Sequence, residues 1–169
     1  MSARFAVRIL TRADAPAFRA LRLRALKEHP DAFTSSFEED VDKPLSASEQ
    51  RIAGDGNVFW GAFVDDPLCG MIGLVREARA KNRHSADVVA MYVAPEFGRR
   101  GLGRALLSAL IDHAREVAKL EQLVLTVTRG NRAAAQLYEA AGFQTFGVEP
   151  RAINVNGDYH DKQHMILFL

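Results

Sequence analysis

The sequence predicts a mixed α/β (α+β) domain: a central sheet of about seven strands, antiparallel in its first half, with one parallel β-α-β crossover and helices on both faces. Three observations predict it. Short apolar runs separated by turn residues fill the first half. A valine-rich run at Asp87 to Val93 leads into a long amphipathic helix and then a second apolar run. The chain closes on a hairpin folded at Asn156-Gly157.

The elements follow in order. RFAVRIL, Arg4 to Leu10, alternates Phe5, Val7 and Ile9 with other residues, as a strand does. Thr11 and Asp14 form a capping-box pattern ahead of a helix with Phe18, Leu21 and Ala25 on one face, ended by Pro30. DAFTSSFEEDVDKP has no period and reads as loop or a short helical turn. Ser46 and Glu49 predict a second capped helix, closed at Gly54 to Gly56. Asn57 to Val64 and Leu68 to Ala78 form a hairpin around DDP. Asp87 to Val93 has almost no polar alternation and should be central, buried on both faces. A helix from Gly101 to about Leu120 carries the stripe Leu102, Leu106, Leu110 and Ala114, and the strand Gln122 to Thr128 completes a parallel crossover. A last helix starts at Asn131 and stops at Gly142.

Composition excludes several function classes. The 22 basic and 21 acidic side chains nearly cancel, leaving +1, too little for the broad positive field of a nucleic-acid binder. Any anion site must be local. With 48% hydrophobic residues and no long unbroken apolar run, neither disorder nor a membrane partner is expected. Cys69 is the only cysteine, and MSARFAVRILTRAD does not read as a signal peptide, so a reducing, cytoplasmic setting is expected.

The informative stretch is VAPEFGRRGLGRALL. Gly98, Gly101 and Gly103 stand among Arg99, Arg100 and Arg104 between a buried strand and a helix N-terminus. Unpaired N–H groups and the helix dipole there favour a phosphate. The string lacks the GK[ST] of a P-loop, and Leu106 stands where a Rossmann fingerprint needs glycine, so both nucleotide folds are disfavoured. A general nucleotide binder is the weakest alternative.

What remains resembles the GNAT superfamily of acetyl-CoA-dependent N-acetyltransferases, whose pyrophosphate signature is Gln or Arg followed by x-x-G-x-G or x-x-G-x-A. Gly101 and Gly103 match it, Pro95 has the usual spacing, and Gly98 departs from it, standing where Gln or Arg is usual. NRAAAQLYEAAGF, Asn131 to Phe143, resembles the family's second segment, N-x-x-A-x-x-L-Y-x-x-x-G-F, at every defined position.

The resemblance implies one N-acetyltransferase domain over residues 1–169 that uses acetyl-CoA to acetylate a primary amine within a ternary complex. It places the cofactor on Met91, Tyr92, Val93, Gly98, Arg99, Arg100, Gly101, Leu102, Gly103, Arg104, Asn131, Ala134 and Tyr138, with the oxyanion donor at a strand bulge around Met91 to Val93. Tyr138 would protonate the leaving thiolate, and Asp87 would be the base, with Glu38, Glu39 and His84 as alternatives. It also allows a homodimer, although no uninterrupted surface stripe is legible. A CoA sensor without catalysis is the rival reading.

Each residue also has a plainer reading. The glycine loop alone is a tight turn with solvated arginines, Tyr138 alone a core aromatic, and Asn131 a helix cap, a role compatible with cofactor contact. His160 and His164 read as ordinary surface, so no metal site is expected, and Cys69 as a structural thiol. Phe37 to Asp42 is a solvated acidic face or a lip for a cationic amine. The acceptor should be chosen by the least patterned segments, Asp31 to Pro44 and Ile153 to His164.

Overall fold

Every strand of the chain joins one sheet, and the single parallel junction within it shapes the site. The structure, a computed structural model, describes residues 4–169; residues 1–3 of the opening segment lie outside it. The strands are β1 (Phe5–Ile9), β2 (Asn57–Val64), β3 (Leu68–Arg76), β4 (Ser85–Val93), β5 (Gln122–Thr128), β6 (Gln144–Val155) and β7 (Asp158–Phe168). The helices are α1 (Ala15–Glu28), α2 (Phe37–Val41), α3 (Leu45–Ala53), α4 (Leu102–Glu116) and α5 (Arg132–Ala140). The sheet order is β1-β2-β3-β4-β5-β7-β6, so β4 is central as its unbroken apolar run predicts. Only β4 and β5 run parallel; all other neighbours are antiparallel.

Two apolar clusters cover the two faces. Leu102, Leu106, Leu110 and Ala114 of α4 pack with Trp60, Ile72, Val88 and Leu123 on one side. Phe18, Leu21 and Ala25 of α1 pack with Ile52, Phe59, Met71 and Tyr92 on the other. The stripe spacing in each helix is what lets it lie flat on the sheet. Two contacts tie α1 to the end of β4: Tyr92 donates to Glu28 at 2.8 Å, and Arg24 pairs with Glu96 at 2.7 Å.

Several boundaries differ from the sequence expectation, each for a local reason. α4 stops at Glu116, short of Leu120, where the Ala118 N–H returns to the His113 carbonyl at 2.9 Å, Lys119 adopts a left-handed φ of 52° and the Leu120 N–H returns to the Ala114 carbonyl at 2.9 Å, a widened final turn. α3 begins at Leu45 after Pro44, so Ser46 is inside the helix and caps nothing. The segment read as loop or helical turn contains the short α2, capped by Ser36 and Glu39 in a reciprocal box. β3 ends at Arg76, and β6 begins at Gln144, well ahead of the hairpin segment. The Thr11–Asp14 box, the Asn131 cap and the Asn156-Gly157 turn, with φ of 53° and 95°, are all present.

Candidate active site

The site begins where β4 and β5 part. Their parallel pairing covers only Ser85 with Gln122, Ala86 with Leu123 and Asp87 with Val124. Beyond Asp87 the two strands diverge, and their facing backbone edges open into a cleft. A bulge bends β4 at that point: Val89 pairs with Gly73 and Tyr92 with Met71, so two residues on β3 are followed by three on β4. Ala90 carries the strain, with φ of 57°. The bulge thus falls at Ala90–Met91, one residue ahead of the expected Met91 to Val93. Ala94 donates to the Cys69 carbonyl of β3 at 2.8 Å. Alternation along the strand then turns the N–H groups of Val93 and Met91 toward the gap left by β5.

A cleft of about 730 Å³ runs from this gap to the glycine loop. Met91, Tyr92, Val93, Gly98, Arg99, Gly101, Leu102, Gly103, Asn131 and Ala134 all line it, so residues from two distant motifs meet there. At its far end Arg99 and Gly101 take left-handed φ values of 61° and 84°. A Cβ on Gly101 would meet nothing within 4 Å, so the position needs glycine for its backbone angle and leaves open space beside it. Gly103 is different, because a Cβ there would come 2.9 Å from the Met91 side chain; it lets α4 approach β4. The first helical bond of α4 is Ala105 N–H to the Gly101 carbonyl at 3.0 Å, and the N–H groups ahead of it face the helix end, where an anion is favoured.

Two of the expected arginines stand elsewhere. Arg100 lies over the Phe97 ring at 5.4 Å, and Arg104 lines a separate groove between α4 and α5; neither is in the cleft wall. Arg104, the third residue of α4, projects from the side of the helix toward α5 rather than from its end, and Arg100 precedes the helix altogether.

A smaller chamber of about 230 Å³ adjoins the cleft, sharing Met91, Asn131 and Ala134 with it. Tyr138 lines this chamber and is only 6% exposed. Its ring packs edge-on to Phe143 at 5.8 Å, and burial alone pushes its phenol well above the usual range. Asn131 caps α5, accepting from the Ala134 N–H at 3.3 Å, and lines both spaces, so its two predicted roles coexist. The Tyr92 hydroxyl is committed to Glu28 on the α1 side, so Tyr92 does not offer it to the cleft.

Asp87 is half-buried in the paired part of β4, apart from the lining of either space, two residues before Val89 of the chamber wall and on the same face of the strand. Burial, then the charge of Glu77, holds its carboxyl above the ordinary value. Of the alternative bases, His84 is exposed at the opposite end of β4, Glu39 is spent on the α2 cap, and Glu38 lines an outer groove of about 480 Å³ with Phe33, Thr34 and Ile153. Within the acidic stretch Asp40 is buried between Arg22 at 2.7 Å and Lys43 at 2.6 Å, while Glu38 and Asp42 stay exposed. His164 pairs with Glu149 at 2.9 Å, and the described residues include no group suited to a metal ion.

The other wall of the chamber is made by Arg22, Thr34 and Ser35, Arg51, and Lys162. Thr34, Ser35 and Lys162 fall within the two unpatterned segments expected to choose the acceptor, although neither segment singled them out individually. Sequence reasoning missed Arg22 and Arg51. Arg22 had a signal, a charge at the fourth position after Phe18 on an otherwise apolar stripe, and Arg51 had none.

A family model for the GNAT acetyltransferases matches residues 22–143. The chain belongs to the GNAT acetyltransferase family. Among relatives of this GNAT protein, the N-alpha-acetyltransferase RimI of Mycobacterium tuberculosis is 33% identical, over 88% of this chain and 84% of its own. A mycothiol acetyltransferase of Thermobispora bispora is 32% identical over 80% of this chain, and only 45% of its own length is matched. An uncharacterised Mycobacterium leprae protein, 31% identical, is matched over 72% of this chain and 32% of its own, so this chain spans only a part of several relatives. The solved ribosomal-protein-alanine N-acetyltransferase of Brucella melitensis superposes with a TM-score of 0.84 at 26% identity, covering 97% of this chain and 99% of that one. An acetyltransferase of Salmonella typhimurium, solved with acetyl-CoA, shares the fold at a TM-score of 0.82 and 24% identity, covering 98% and 94%. No helix among the described residues is long and apolar enough to cross a membrane.

Proposed function

We propose that this GNAT protein, acting as a single domain, transfers an acetyl group from acetyl-CoA to a primary amine by direct attack within a ternary complex. The observation that carries this reading is the separation of β4 from β5 after three residue pairs, which opens a cleft ending on the Gly101 turn. The residues fit the cofactor. Left-handed Gly101, open space beside it and the free N–H groups of the α4 N-terminus suit a pyrophosphate. Arg99 adds charge, and Met91, Val93, Asn131 and Ala134 line the way to the chamber.

When bound, acetyl-CoA supplies an acyl thioester whose C–S bond breaks as the acceptor nitrogen forms the C–N bond, leaving a thiolate. Met91 N–H, turned into the gap at the bulge, is the donor positioned for an oxyanion. Tyr138, protonated in the chamber wall, gives its proton to the departing thiolate and regains one from the acceptor nitrogen as the amide forms. The thiolate charge developing beside it offsets the reluctance that burial imposes. Asp87, its carboxyl held above the ordinary value by burial and the Glu77 charge, takes the amine proton through water, since an alkylamine with a pKa of about 10.4 arrives protonated.

The named acceptors of relatives include a protein N-terminal amine, spermine and L-amino acids, so likeness alone selects none. Calorimetry with acetyl-CoA, then thiol release with pooled amines, tests the reading. Gly101→Asp is expected to abolish binding, and Arg99→Ala to weaken it by about tenfold, the value of one charged contact. Binding without amine-dependent release would instead make the chain a CoA sensor. No binding by the unaltered protein would reduce the glycine loop to a turn.

A further inference from the structure

The wall of the inner chamber carries three cations and no carboxylate. Among the described residues only one of the three is in an ion pair. Arg22 gives its Nε to Asp40 at 2.7 Å. Lys162, 7% exposed, donates to the Thr34 hydroxyl at 2.6 Å, a neutral partner, and burial lowers its pKa against the weaker opposing charge of Glu149. Arg51 makes no ion pair among the described residues. Its Nε is buried and has no hydrogen-bond partner, its guanidinium stands 5.9 Å from the Phe59 ring, and burial followed by the nearby Arg22 charge pushes it down to about 10. Asp40 and Glu149 act on Arg51 and Lys162 only through space, so neither cation has an ion-pair partner among the described residues, and two such cations bordering one cavity suit a negatively charged group.

The site differs from the cofactor's anion site. The chamber wall includes no residue of the glycine loop, and the cleft wall includes neither Arg51 nor Lys162. The same chamber wall includes the Ala90–Met91 bulge and Tyr138, where the acetyl group would be transferred.

We propose that Arg51 and Lys162 bind the carboxylate of the acceptor, so that the acceptor is a small amino-acid-type amine rather than a polyamine or a peptide N-terminus. This rests on the acetyltransferase reading above. The arrangement has two consequences for the reaction. Paired with its carboxylate, the acceptor is oriented with its amino group toward the bulge. The cations also disfavour a second positive charge nearby, which lowers the ammonium pKa and delivers the nitrogen in its reactive neutral form. A polyamine brings only like charge into the chamber, and a peptide N-terminus presents a neutral amide where the carboxylate should stand.

The test follows thiol release from acetyl-CoA with the common L-amino acids, their carboxamides, their decarboxylated amines, short peptides and spermidine. For the preferred acceptor, the free acid is expected to exceed its carboxamide by about 10² in kcat/KM or more, since a site built around a charge rejects the analogue lacking it. Arg51→Gln should cut that ratio by about tenfold through KM, and Arg51→Lys should retain most of it. Unchanged melting temperatures show that both variants fold. Carboxamides, peptides or spermidine turned over as well as the acids would overturn the proposal, as would a ratio unmoved in folded Arg51→Gln. If acetyl-CoA does not bind, the acetyltransferase reading fails by itself, and calorimetry with N-acetyl-L-amino acids decides the subsite separately. Binding weakened in Arg51→Gln supports it, and equal or absent binding overturns it.

Discussion

Tyr138 and Asp14 show how one environment or another sets a side chain's role. Tyr138 is sealed from solvent by Phe143 and the chamber wall, so its proton stays on across the neutral range. Removing only its hydroxyl leaves the packing intact. Tyr138→Phe should therefore lower kcat by about 10²-fold with little change in acetyl-CoA affinity, measured by thiol release and calorimetry; an unaltered kcat would leave the residue a purely structural aromatic. Asp14 is held by opposite means. Its pairing with Arg8 at 2.8 Å, together with the N–H of Thr11, lowers its carboxyl to about 2. A depressed folded pKa stabilises above the unfolded value and is lost as pH falls through the folded one. Asp14→Asn should cost about 0.5 kcal/mol at neutral pH, the worth of an ion pair whose Arg8 partner is half exposed. The gap from the unaltered protein should close between about pH 4 and pH 2 in urea titrations.

At the scale of elements, α4 sets both the core and the cofactor loop. Its buried stripe fixes its rotation on the sheet, and that rotation aims its N-terminal N–H groups into the cleft. Its other end is less well served, since Lys119 adopts a left-handed φ of 52° that glycine would occupy without steric cost. Lys119→Gly should stabilise the fold by about 0.5 kcal/mol, the steric relief less the added chain entropy, and should leave acetyl-CoA affinity unchanged. A loss of stability in urea unfolding would mean that the lysine side chain contributes more than its backbone angle costs. The β4 bulge is the complementary element, because it gives up regular pairing with β3 and thereby frees N–H groups toward the gap.

Over the whole molecule, the site exists only because the sheet opens at its one parallel junction. A ligand seated there touches β4, β5, α4 and α5 together and binds the folded state alone. Acetyl-CoA at about 100 times its Kd should therefore raise unfolding free energy by about 2.7 kcal/mol, seen as a rise in melting temperature that Gly101→Asp lacks. A melting temperature indifferent to acetyl-CoA would count against the cleft as its site.

The sequence by itself determined most of the element list, the central place of β4 and the glycine turn. Each of these rests on local rules: apolar period, caps, and glycine at positive φ. The meeting of Asn131 and Tyr138 with one space came from the resemblance to the family, not from those rules. Tertiary structure alone decided three further things. Arg100, in the turn ahead of α4, lies over the Phe97 ring, and Arg104, inside α4, faces the groove toward α5, although both are adjacent to the cleft in sequence. Asp40 is buried against Arg22 of another helix, so one carboxylate of an apparently solvated acidic run is withdrawn from solvent. Arg51 and Lys162 face one chamber across more than a hundred residues of chain, a proximity set by sheet order and helix packing, which no spacing within the sequence encodes.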